Sequence, residues 1–142
     1  MEHLDPQMAQ RVWQRVQGTV GEDPLPGMLT AALTCAAGCS RLSKHFRGQE
    51  TELLRTRAEL LRQAACLRGI CRLRNTPPPA QPSLPSAQEP VDALLRRCIA
   101  QSLRLSDGAR KEAADPEFGA VFAHLAAQAA EHTQLLLELT GK

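Results

Sequence analysis

Tyrosine is absent from this sequence, and aromatic residues make up only 3% of it, one Trp and three Phe. Strands favour aromatic and β-branched residues, whereas the apolar mass here is Leu and Ala, which are strong helix formers. An all-helical chain follows. No apolar run approaches the roughly 20 residues needed to cross a bilayer, and "MEHLDPQMAQ" has neither a basic start nor an apolar h-region. The expectation is a cytoplasmic protein with no membrane partner. Neither charge sign dominates: 17 basic against 15 acidic residues leave a net +2, too mild to argue for nucleic acid. Arg55, Arg57, Arg62, Arg68, Arg72 and Arg74 crowd one segment, but without interleaved aromatics they read as the solvated face of a helix. A Gly-rich phosphate loop, a Ser nucleophile elbow and a C-x-x-C pair are all missing, which leaves ATPase, hydrolase and redoxin readings without support.

The five cysteines are an odd number and lack zinc-knuckle spacing, so reduced thiols are expected. Cys35 and Cys39 are four apart and share a helix face. They read as small buried hydrophobes or as a thiol pair able to hold a soft metal such as Cu(I).

What is present is a chain of 142 residues, 43% hydrophobic and 23% charged, which suits one compact domain over residues 1–142. Proline and glycine punctuate it. "LDPQMAQRVWQRV" predicts a short helix over 5–17, with Asp5 as cap, Pro6 in the first turn, and Met8, Val12 and Val16 as its stripe. Gly18, Gly21, Pro24 and Pro26 break the chain. Leu29, Leu33, Ala36 and Leu42 then keep a helical period over 26–46, and Gly48 marks a corner. Leu53, Leu60 and Leu67, together with Leu54 and Leu61, repeat every seven residues through a helix at 48–74. A third helix is predicted at 90–113 along Leu94, Leu95, Cys98, Ser102 and Leu105. A fourth is predicted at 115–140, with Asp115 as cap, Pro116 in the first turn, and Val121 or Phe122, Leu125, Ala129, His132, Leu136 and Leu139 along its stripe.

The segment at 75–89, with Pro90 after it, is too rich in proline to be helical. Extended at about 3.1 Å per residue, it reaches roughly 45 Å, more than the ~39 Å length of the preceding helix. It is therefore long enough to return along that helix, so that the second and third helices run parallel while the short turns make two antiparallel hairpins. Among four-helix bundles, one long crossover between two hairpins is the ferritin-like connectivity.

The words "VWQRV", "AACLRGI" and "ADPEFGAVFAHLAAQAAEH" resemble bacterial ferritin-like domains of the rubrerythrin type, and the resemblance covers nearly the whole chain. It implies a bundle whose family members use a carboxylate-bridged di-iron or related two-metal site for peroxide reduction, iron oxidation or electron transfer. Carried over residue by residue, it implies mostly lost ligands. The Glu-x-x-His of the fourth helix would end at His132, but the position three before it is Ala129. The pair of the second helix falls on Leu60 and Gln63, or, slipped by one, on Glu59 and Arg62. The acid of the third helix falls near Ser102, and that of the first near Ala32 or Cys35, where residues 27–46 hold no carboxylate. His132 is then a vestigial ligand, expected to be hydrogen-bonded within the core or to Ser102.

Three functional expectations follow. The first is a ferritin-like bundle that has lost its di-iron site, is not an enzyme, binds no cofactor and serves a structural or binding role. Trp13 would mediate homodimerisation or cover the open side of the bundle. The second is a rubrerythrin-like oxidoreductase with a rearranged iron or manganese site using His132, Glu131, His124 and Glu59. The third is thiol chemistry or Cu(I) binding by Cys35, Cys39, Cys66, Cys71 and Cys98.

Overall fold

The structure, a computed structural model, describes residues 23–77, 79, 86 and 88–142. The short helix expected at 5–17, with Trp13, and most of the expected crossover at 75–89 lie outside the described residues. Within them the chain is helical: α1 (Leu25–His45), α2 (Glu50–Leu73), α3 (Val91–Glu112) and α4 (Gly119–Leu139), with a 3-10 turn at Arg47–Gln49 leading into α2.

The helix ends follow from local chemistry. Asp23 Oδ1 accepts from Leu25 N at 3.0 Å, so a side chain takes up a free donor of α1's first turn. Glu50 and Glu52 lie at the positive end of α2. α2 stops in a Schellman closure, in which Asn75 takes a left-handed φ of 55° while Asn75 N and Thr76 N return to Arg72 O and Cys71 O. Thr76 Oγ1 donates to Asp23 Oδ2 at 2.7 Å, tying that closure to the start of α1. Pro90, with ψ 146°, stays extended before α3.

The start of α4 corrects the expectation of a helix from 115. Asp115 does accept from Phe118 N through Oδ2 at 2.8 Å, but this closes a separate turn over 115–118. α4 begins only at Gly119, where a Cβ would lie 2.5 Å from Ala113 O, closer than real Cβ atoms approach.

The two hairpins, α1–α2 and α3–α4, join mainly along α1 and α3, while α2 and α4 stand further apart. Small residues allow the close seam. A Cβ on Gly38 would sit 2.2 Å from Cys98 Sγ, and one on Gly108 would sit 2.9 Å from Met28 Sδ. These pairings make α1 antiparallel to α3. Bridges from Glu59 to His132 and from Gln63 to Gln128 make α2 antiparallel to α4. α2 and α3 consequently run parallel.

The core is a leucine cluster from all four helices, each fully buried leucine contributing about 1.5–3 kcal/mol. Of the two seven-residue repeats in α2, only Leu53, Leu60 and Leu67 are inside, each 0% exposed; Leu54 and Leu61 are 43% and 39% exposed. In α4, Phe122 is buried and Val121 faces outward. Arg74 also departs from expectation. Arg55, Arg57, Arg62, Arg68 and Arg72 are exposed, whereas Arg74 turns inward to Glu112 Oε1 (3.1 Å) and Asp115 Oδ2 (3.2 Å), with its guanidinium 5.7 Å from the ring centres of both Phe118 and Phe122. Among the described residues, no helix is long and apolar enough to cross a membrane.

Candidate functional site

Midway along the α2–α4 seam the interior becomes polar. His132, 3% exposed, donates through Nε2 to Glu59 Oε1 at 2.7 Å. A hydrogen on Nε2 suits this contact, and Nδ1 is buried with no partner. One turn along both helices, Gln63 Nε2 donates to Gln128 Oε1 at 2.8 Å, leaving Gln63 Oε1 unpaired. On the neighbouring seam, Ser102 Oγ and Thr133 Oγ1 are 2.8 Å apart, and Thr133 Oγ1 donates to Ala129 O. Of the two alternatives expected for His132, a bond within the core or one to Ser102, the bond to Ser102 is not made. Ser102 is held by Thr133, while His132 reaches the opposite way, to a carboxylate on α2.

The spacing within each helix explains these rungs. Glu59 and Gln63 are four apart on α2, as are Gln128 and His132 on α4, so each pair lies on one face and the two faces meet in register. Glu59, Glu131 and His132 share a cleft of about 350 Å³ with Glu52, Arg55, Thr56 and Leu135. His124 is exposed and is not among the residues lining that cleft. The other expected ligand positions, Leu60, Gln63, Ser102 and Ala129, are all buried. Leu60 and Ala129 carry no donor atom. Two divalent irons require several anionic oxygens with imidazole at about 2.0–2.2 Å. At these four positions the side chains do not fit such a pair. Among the described residues, no three or more His, Cys, Asp or Glu are grouped to hold a metal ion.

A second polar cluster lies on the α1–α3 seam. The cysteines are free thiols, and Cys35, Cys39 and Cys98 are all fully buried. Cys35 Sγ donates to Cys98 O at 3.7 Å, and the Cys39 and Cys98 thiols are its side-chain neighbours. These neighbours and burial push Cys35 well above the usual thiol range. Cys98, which receives the Cys35 hydrogen bond, is held below that range despite its burial. Cys71 is buried elsewhere, near Arg74, and Cys66 is exposed. Sequence spacing paired Cys35 with Cys39 but had no means of adding Cys98. The available signal was Gly38, since a mid-helix glycine commonly marks a close approach by another element.

Compared with known proteins, the chain matches no family model, no curated protein and no solved structure.

Proposed function

We propose that this chain is a ferritin-like bundle of the rubrerythrin type that no longer holds a di-metal centre and serves as a structural or binding module. The order of the helices supports the fold reading: two antiparallel hairpins meet with α2 and α3 parallel, so that α2 ends and α3 begins at opposite ends of the bundle. The observation that carries the functional reading is the composition of the midsection. Leu60 and Ala129 stand where the resemblance puts ligands, Ser102 is held by Thr133, and Glu59 is held by His132. Residues 27–46, which include most of α1, contain no carboxylate. Such a midsection holds helices together through hydrogen bonds and methyl contacts, and it avoids the several kcal/mol cost of burying unpaired carboxylates.

The test is elemental analysis of protein purified after growth with added iron, manganese and zinc. Less than about a tenth of an equivalent of each agrees with the reading. Near-stoichiometric iron or manganese, lost in Glu59→Ala, overturns it in favour of a second reading. That second reading is a rearranged oxidoreductase site in the cleft lined by Glu52, Glu59, Glu131 and His132.

A further inference from the structure

We propose that the sulfurs of Cys35 and Cys98, meeting across the α1–α3 seam, form a two-coordinate site for Cu(I). Three observations converge there. Both thiols are 0% exposed, so water does not compete for the metal. Cys35 Sγ also reaches across the seam to 3.7 Å from the Cys98 carbonyl oxygen, although the two residues lie 63 apart in sequence. The backbone also makes room for them: the missing Cβ of Gly38 leaves the space that Cys98 Sγ occupies.

The donor set selects the ion. Soft sulfur in an apolar surround suits Cu(I), whereas calcium, magnesium and manganese require oxygen ligands, and structural zinc takes four donors. No group of three or more metal-binding side chains is assembled among the described residues, so the site must suit an ion content with few ligands. Cu(I) accepts two. The reaction is a substitution without redox change. Cu(I) arrives as a complex with a small thiol, the two protein S–H bonds give way to two Cu–S bonds, and the protons leave with the displaced carrier and to solvent. The copper remains Cu(I) throughout. Cys39, one turn from Cys35, borders the site but is not assigned to it. This inference does not depend on the ferritin-like reading.

The experiment is an anaerobic titration of the reduced full-length chain with Cu(I) held by bicinchoninate, a coloured competitor. Wild type and Cys66→Ser are expected to withdraw about one Cu(I) per chain, and Cys35→Ala and Cys98→Ala fewer than about 0.2. Copper uptake that follows Cys66, or uptake unchanged in Cys98→Ala, overturns the assignment, as does the absence of uptake by wild type. X-ray absorption of the wild-type copper complex, which needs no variant to fold, should show two sulfur neighbours. Nitrogen or oxygen neighbours, or a third sulfur, would exclude the site as drawn. Helical circular dichroism should be unchanged by one equivalent; its loss would show that copper binds the unfolded chain instead.

Discussion

His132 Nε2 and Glu59 Oε1 lie 2.7 Å apart across the α2–α4 seam, joining a histidine that is 3% exposed to a carboxylate on the rim of a cleft. The bond gives both the carboxylate and the imidazole a partner in one contact. Its strength is therefore the first quantity to measure.

Replacing His132 by Ala leaves Glu59 partly buried without its donor and opens a gap in α4's inner face. A loss of about 2–4 kcal/mol in urea unfolding is expected. In a double-mutant cycle with Glu59→Ala, the two changes should couple by about 1–3 kcal/mol. Additivity within about 0.5 kcal/mol would mean that the contact adds nothing to stability.

Gly38→Ala places a methyl against Cys98 Sγ and should destabilise by about 1–3 kcal/mol. Cys98→Ala in the same chain should restore most of that loss, because the sulfur is the obstacle. Gly108→Ala should be milder: the obstructing atoms are Met28 Sδ and Cγ, part of a flexible side chain that can swing aside. Thermal midpoints of the four proteins rank these effects.

Removing Arg74 breaks two ion pairs to Glu112 and Asp115 and uncovers two phenylalanine faces at one end of the bundle. Arg74→Met should lower stability by about 1–2 kcal/mol. Arg74→Lys should recover only part of it, since an ammonium is a point charge that lacks the planar fork needed to reach both carboxylates. Denaturation midpoints for the two variants test the order.

Alkaline pH should weaken the fold. Cys35 and Cys71 are both raised from the ordinary thiol value of 9.0, Cys35 through its thiol hydrogen bonds and Cys71 through burial. Above pH 9 the unfolded chain sheds these protons while the native chain keeps them. Unfolding then releases protons, and stability falls as pH rises, by up to about 1.4 kcal/mol per unit for each thiol. Cys98, shifted downward, opposes this in part. Urea midpoints between pH 8 and 10 should decline, and less steeply in Cys71→Ser; a flat profile would contradict the assigned shifts.

Much of the helical punctuation is readable in the sequence because Pro, Gly and Asp act locally. Pro24 and Pro26 open α1, and Pro90 precedes α3. What resists reading is set between helices. Leu53 and Leu54 both begin a seven-residue repeat, and only packing against α1 decides which repeat is inside. Glu59 lacks a histidine three residues along α2, yet finds one on α4, because the register between two helices is not encoded in the spacing within either. Arg74 belongs to a run of surface arginines by sequence, but its place at the end of α2 brings it to the start of α4. In each case the deciding neighbour lies dozens of residues away.

The close seam between α1 and α3 and the wider, polar one between α2 and α4 make the molecule resemble a bound book. Glycine, alanine and cysteine form the spine, and α2 and α4 are the covers, clasped by the Glu59–His132 and Gln63–Gln128 bridges. Water can replace a clasp of that kind but not an interlocked spine. The first excursion from the native state is therefore a hinged parting of the covers, and backbone amides along α2 and α4 will exchange with deuterium ahead of those in α1 and α3.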